Sequence, residues 1–276
     1  MRLSVHHRTT YRFENPRRNL LQSHRLYPSK FDGQSVVHWD VTVKDCHKGA
    51  SFVDGAGNST WLVRVPGPVE ELVIDVTGVV DTTDLAGVLR GHREKTPPMA
   101  YLRDSRLTRA DVALEELARE VAADAEAGDP LGLAHALSAK VSEAIKYTPG
   151  ATEAATTAAE ALGRGMGVCQ DHAHALIAAA HVLDLPARYV AGYMFADPDD
   201  EDADRPSEAS HAWAELFVDG LGWVGFDPAN ECCPDARYIR ICSGADAFDA
   251  APIRGVIEGQ GEEDLNVDVA IEAVQQ

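Results

Sequence analysis

Gly163-Arg164-Gly165-Met166-Gly167-Val168-Cys169, running on into Gln170 to Leu183, is the stretch on which the reading of this chain turns. The glycines punctuate the chain, and the segment that follows reads as a helix. A cysteine at a helix N-terminus sits at the positive end of the helix dipole, which favours thiolate over thiol. Alone, such a cysteine is most often a small buried hydrophobe. Two later segments change that reading. Ser210-His211-Ala212-Trp213-Ala214-Glu215-Leu216-Phe217 is strand-like and carries a histidine, and Gly222-Trp223-Val224-Gly225-Phe226-Asp227-Pro228 carries an aspartate. Cys169, His211 and Asp227, in that order, are the parts of a thiol nucleophile, its base and the group that orients the base.

The loop between the two strands tests this assignment. With a two-residue Asp-Gly turn, Val218 pairs with Leu221 and Asp227 points away from His211, because side chains alternate faces. With a three-residue loop, Asp219-Gly220-Leu221, Val218 pairs with Gly222 and Asp227 lies opposite Trp213. Asp227 is then a diagonal neighbour of His211 on one face, about 7–8 Å away by backbone spacing and within side-chain reach. The triad therefore requires the odd-length loop. Backbone N–H groups at the start of the Cys169 helix are natural oxyanion donors. Tyr147, considered as a second donor, reads better as a packing residue.

At 276 residues the chain holds one large domain or two modest ones. Its net charge of −19 argues against nucleic acid or an anionic membrane as a general partner. Residues 1–50 carry nine Lys/Arg against four Asp/Glu, so the acidity lies in the remainder. There is no membrane-length apolar run and no signal-peptide core, so a cytoplasmic protein is expected. Five cysteines in a reducing compartment read as free thiols. The adjacent pair Cys232-Cys233 lacks a partner pair at ligand spacing and reads as structural or incidental.

Residues 1–80 read as a β-rich domain. Its strands are Val36–Val43, Trp61–Val65 and Leu72–Val79, with turns at Asp32-Gly33, Asp54-Gly55-Ala56-Gly57-Asn58 and Pro66-Gly67-Pro68. Residues 81–109 read as a linker, 110–240 as the catalytic core, and 241–276 as strands packing back on the body. In the core, Leu114, Leu117, Ala118, Val121 and Ala122 form one helical stripe, and Leu133, Leu137, Val141 and Ile145 another. Thr156–Leu162 reads as a short helix and Ala187–Met194 as an apolar strand. Arg254–Ile257 and Leu265–Val274 offer two further strands.

Four segments, in order, also resemble those of the transglutaminase-like superfamily. They are Gly167-Val168-Cys169-Gln170-Asp171-His172-Ala173-His174, Pro186-Ala187-Arg188-Tyr189-Val190-Ala191-Gly192-Tyr193, His211-Ala212-Trp213-Ala214-Glu215 and Gly222 to Asn230. The similarity spans about residues 130–235, and the β-rich start is similar to the N-terminal region of bacterial members. The resemblance implies an α+β protein: an N-terminal antiparallel β domain, and a papain-like core whose nucleophile helix packs on an antiparallel sheet. It also implies catalytic roles for Cys169, His211 and Asp227. The superfamily includes hydrolases, amine-transferring enzymes and non-catalytic members.

The expected activity is attack of Cys169 on an amide carbonyl, giving a thioester acyl-enzyme. Hydrolysis of a protein or peptide substrate is favoured, since water needs no dedicated acceptor site. The alternatives are transfer of glutamine acyl groups to an amine acceptor, and a non-catalytic peptide-binding module. No cofactor or metal is expected. A zinc site from Cys169, His172, His174 and His181 fits helix geometry poorly. Asp171 reads as a first-turn capping residue. The acidic segment Asp197–Asp204 lacks the glycine and terminal glutamate of a calcium loop and reads as a solvated loop near the cleft.

Overall fold

The computed structural model describes residues 1–196 and 210–274; the acidic segment Asp197–Asp204 lies outside the described residues. In chain order the elements are β1 (Arg2–His24), β2 (Gln34–Val43), β3 (His47–Val53), β4 (Ser59–Thr82), a 3-10 turn (Pro98–Tyr101), α1 (Val112–Asp124), α2 (Pro130–Ala144), β5 (Lys146–Tyr147), α3 (Ala158–Arg164), β6 (Met166–Gly167), α4 (Cys169–Val182), β7 (Ala187–Met194), β8 (Ser210–Val218), β9 (Gly222–Phe226), β10 (Tyr238–Gly244), β11 (Ile253–Glu258) and β12 (Glu263–Ala273).

The N-terminal sheet is built on one long antiparallel ribbon. β1 runs against β4 from Arg2 opposite Asp81 to His24 opposite Trp61. Each of these strands is long enough to take two partners in succession. β12 and then β11 pair with the free edge of β1, while β2 and β3 pair with β4. The alternation of Leu3, Val5, His7 and Thr9 turns one face of β1 inward, as period-2 patterning requires.

Pro66-Gly67-Pro68 is not the turn its composition suggests. β4 runs straight through it, so the two strands expected at Trp61–Val65 and Leu72–Val79 are one. The ladder breaks there instead. Asn19 pairs with Pro66 and Arg17 with Val69, which leaves Gly67 and Pro68 opposite Arg18 alone. Prolines lack the N–H a regular ladder needs and are tolerated at such a bulge. A Cβ on Gly67 would come within 2.2 Å of the Arg17 carbonyl oxygen, so only glycine permits this approach.

The second sheet has strand order β10-β7-β8-β9, all antiparallel. α4 packs against it. Eleven of its fourteen residues are buried, Asp171, His172 and His174 among them, as befits a helix with neighbours on every side. Ala212, Ala214, Leu216 and Val218 of β8 join Ala173, Leu176 and Ile177 of α4 in the main core, with α1, α2 and α3 closing the remaining sides. The expected stripes on α1 and α2 point into this core. Leu3, Val5 and Val80 meet Tyr193, Ile239 and Ile241 in a separate cluster that joins the two sheets. Residues 87–89 cover the outer edge of β9, through Leu89 N–H to Trp223 O at 2.9 Å and Gly225 N–H to Gly87 O at 2.9 Å.

The face of β8 turned from α4 carries charge. Glu215 accepts from Arg188 Nε at 2.7 Å and from Arg240 Nε at 2.7 Å, and all three residues are buried. Burial opposes ionisation of Glu215, but the charges of Arg240 and Arg188 outweigh it and hold the carboxyl at about 2. Glu94 adds a second carboxylate to Arg188, whose guanidinium lies 4.0 Å over the Trp223 ring. β7, β8 and β10 are thus joined by ions as well as by their ladders. Among the described residues no helix is long and apolar enough to cross a membrane.

Candidate active site

The start of α4 is pinned before the helix begins. α3 ends on Gly165 in the left-handed conformation (φ 64°), which caps its carbonyls. β5 and β6 then form a two-residue parallel ladder, Lys146 with Met166 and Tyr147 with Gly167. Val168 has no side-chain acceptor with which to cap the helix. Asp171 reaches back instead and accepts the Val168 N–H at 2.8 Å, while the Thr152 hydroxyl donates to the same oxygen. Gly167 allows this approach, since a Cβ there would lie 2.7 Å from the Asp171 Cβ. Asp171 therefore has the capping role read from its position. Cys169 is the first residue of the helix and is 8% exposed.

The register test resolves as the triad requires. Val218 pairs with Gly222 and Ala214 with Phe226, which makes the β8–β9 loop three residues long and carries Asp227 to the position opposite Trp213. His211 Nε2 lies 2.6 Å from Asp227 Oδ2, and both side chains are buried. The Cys169 thiol lies close enough to the imidazole to add to its proton affinity. The other ring nitrogen, Nδ1, makes no hydrogen bond of full geometry among the described residues. The Cys169 thiol and the imidazole are thus adjacent but not aligned in a hydrogen bond of full geometry.

Burial alone would lower the pKa of His211. The charge and hydrogen bond of Asp227, with the Cys169 thiol, overcome burial and raise it to about 10. Burial likewise opposes the charge on Asp227, but His211, Asn230 and Tyr238 together keep its pKa below the ordinary carboxylate value. At neutral pH the imidazole is protonated and its partner ionised.

Sequence reasoning did not single out Asn230 and Tyr238. The Tyr238 hydroxyl donates to Asp227 Oδ2 at 2.8 Å and Asn230 Nδ2 to the same oxygen at 2.7 Å. Backbone N–H groups of Ala229 and Asn230 reach Oδ1 at 3.1 and 3.3 Å. Trp213 stacks on His211 at 6.4 Å and meets Tyr238 edge-on at 5.5 Å. Asn230 was within reach of inspection, three residues after Asp227. Tyr238 carried no signal, because it arrives from another strand.

The remaining candidates fall elsewhere. His172 sits with Nδ1 2.9 Å from Val168 O and Nε2 2.7 Å from Ile145 O, tying the end of α2 to the first turn of α4. His174 accepts the Ala247 N–H at 3.1 Å, and burial pushes its pKa down to about 4. It is a neutral core histidine. His181 lies by Asp104 and the Ala187 carbonyl. These partners leave Cys169, His172, His174 and His181 unassembled as a ligand set. Tyr147 packs with its ring 6.3 Å from His172. Cys232 closes the loop after Asp227 by pairing with its backbone, and its thiol lies 3.3 Å from the Tyr238 hydroxyl. Burial raises the Cys232 thiol and raises the Cys233 thiol to about 11.

Comparison with known proteins agrees with this architecture. Residues 115–228 match the model of the transglutaminase-like superfamily, and residues 3–81 match that of the bacterial transglutaminase-like N-terminal region. An uncharacterized protein of Mycobacterium leprae is 27% identical over 284 residues, covering 98% of each chain. An uncharacterized protein of Mycobacterium tuberculosis is 29% identical over 292 residues, covering 99% of this chain and 92% of its own. The crystal structure of a candidate cysteine protease from Cytophaga hutchinsonii superposes with a TM-score of 0.74 at 23% identity. It covers all of this chain and 91% of its own, a likeness of fold.

Proposed function

Because this chain belongs to the transglutaminase-like superfamily, we propose that it is a cysteine-dependent amide-bond enzyme of the peptidase or amidase type. Cys169 is the nucleophile, His211 the base and Asp227 its orienter. The observation that carries the reading is the buried 2.6 Å contact between His211 Nε2 and Asp227, with the Cys169 thiol beside the same ring at a helix start. His211 as imidazolium holds the proton of the thiol, and the thiolate sulphur attacks the amide carbonyl of a protein or peptide substrate. Backbone N–H groups at the start of α4 face the oxyanion that forms. His211 then passes its proton to the leaving amine, and a thioester remains. Water adds to the thioester, gives a proton to His211, and the carboxylic acid leaves as the thiol reforms. Asp227 stays ionised throughout and stabilises the imidazolium.

Mass spectrometry of a mixed protein substrate incubated with a primary amine tests this. Wild type should yield cleaved peptides or deamidated glutamines that Cys169→Ser does not. Amine adducts on glutamine that vanish in the variant would replace hydrolysis with acyl transfer. No Cys169-dependent product of either kind would refute the enzymatic reading and favour a peptide-binding module.

A further inference from the structure

The second sheet ends on β10, and side chains of the N-terminal sheet close its outer edge. An edge buried without such cover would leave backbone N–H and C=O groups unpaired. Gln34 supplies a carboxamide where a strand would otherwise lie. Its Oε1 accepts the Arg240 N–H at 2.9 Å, and its Nε2 donates to Arg240 O at 2.9 Å and to Ser29 O at 2.8 Å. A carboxamide sets an acceptor beside a donor, as a peptide group does, so it can stand in for a neighbouring strand. Asn58 does the same at Ser243, at 2.9 Å to each backbone group.

Thr82 completes the grip. It lies opposite Gln34 in the β2–β4 ladder, and its hydroxyl donates to the Ala236 carbonyl. Gln34 and Thr82 are both buried. Ala236 and Arg240 stand two residues before and two residues after Tyr238. The pair therefore holds the backbone on both sides of the tyrosine whose hydroxyl meets Asp227 Oδ2 at 2.8 Å. β7 holds the other edge of β10, but that ladder slips between Arg240 and Cys242 and leaves Ile241 as a bulge. Hydrogen bonds between oxygens are confined to about 2.5–3.0 Å, so a small drift of β10 is enough to break the one from Tyr238.

We propose that Gln34 and Thr82 are positioning residues of the triad: from the N-terminal sheet they grip β10 around Tyr238 and so keep its hydroxyl on Asp227. The proposal rests on the catalytic reading for its purpose, and on these hydrogen bonds alone for its geometry. It makes the N-terminal domain a working part of the site. Neither residue touches substrate or the reacting atoms; both act through Tyr238.

The test reads Asp227 in two ways in the full chain. One is the downfield proton resonance of the His211–Asp227 hydrogen bond at pH 7. The other is the acid limb of Cys169 alkylation by iodoacetamide, where Asp227 takes up a proton. Tyr238→Phe sets the scale for both. Gln34→Met and Thr82→Val should each move both readouts in the direction of Tyr238→Phe, the acid limb by at least about 0.5 pH unit. Thr82→Ser keeps the hydroxyl and should stay with wild type. Added to Tyr238→Phe, neither Gln34→Met nor Thr82→Val should move the limb by more than about 0.2 pH unit further, because the bond they act through is already gone. A fall in melting temperature with both readouts unmoved would mean a structural clamp alone and would overturn the proposal. Shifts that add in full to that of Tyr238→Phe would do the same. The two Thr82 variants decide the matter if Gln34→Met does not fold. The resonance needs no catalysis, which keeps the two readings apart. Its movement in a protein without Cys169-dependent products sinks the catalysis and keeps the positioning. Products with an unmoved resonance do the reverse.

Discussion

Asp227→Asn removes a charge while keeping the shape of the side chain. In the native site three donors converge on Asp227 Oδ2, from His211, Asn230 and Tyr238, while Oδ1 receives the longer contacts from the Ala229 and Asn230 backbone. An asparagine will direct its oxygen to the three donors and its NH2 toward the backbone N–H groups. The His211 tautomer is then kept and the negative charge is lost. What remains for His211 is burial, which lowers its pKa, set against the Cys169 thiol alone. The difference between about 10 and the ordinary 6.5 corresponds to about 5 kcal/mol at roughly 1.4 kcal/mol per pH unit, the net of what Asp227 and Cys169 add against burial. A thiol without an imidazolium partner is only about 0.3% ionised at pH 6. Alkylation of Cys169 by iodoacetamide, read by peptide mass spectrometry, should therefore be at least about 100-fold slower at pH 6 in Asp227→Asn. The rate should rise with pH and approach wild type only above about pH 9. Wild type should stay level until its alkaline limit near the His211 value of about 10. If the variant's pH profile matched wild type, with its fold intact by circular dichroism, Asp227 would not be what keeps the proton on His211.

Other outcomes follow from the same geometry. Tyr238→Phe removes one charge-assisted donor from Asp227, of order 1.5 kcal/mol, and should move the acid limb of alkylation, where Asp227 takes up a proton, up by about one pH unit. In wild type at pH 6, Cys169 should react at least about 100-fold faster than Cys232, Cys233 or Cys242, whose thiols burial raises, that of Cys242 to about 12. Equal rates would contradict an activated nucleophile. Glu215→Gln strands two buried guanidinium groups and should cost about 3–5 kcal/mol, a fall in melting temperature of about 10 °C at pH 7. The Glu215 pKa is depressed on folding, so its contribution is present above the ordinary 4.5 and is lost as pH falls toward about 2; the gap between variant and wild type should narrow over that range. For the triad the signs differ. The His211 contribution is full below 6.5 and lost as pH rises through about 10, while that of Asp227 is present above 3.8 and lost as pH falls. Denaturant midpoints should therefore be highest between those limits.

Local pattern carried much of this protein. The helix opened by Cys169, the strands at Ala187–Met194 and Ser210–Val218, and the three-residue loop after Val218 all follow from periodicity, punctuation and the requirement that Asp227 share a face with His211. Such features depend on a residue and its near neighbours, which is what a sequence displays directly. Pro66-Gly67-Pro68 marks the limit of that logic: its local preference for a turn was overridden by the long ladder between β1 and β4, which absorbed it as a bulge. Tertiary structure alone decided that β11 and β12, more than 220 residues after β1 begins, complete its sheet. It alone brought Tyr238 to Asp227 and joined Arg188 and Arg240 through Glu215. Each of these depends on which distant strands and helices meet. A residue's partner across a sheet or core is set by packing of the whole chain, and no spacing along the sequence records it.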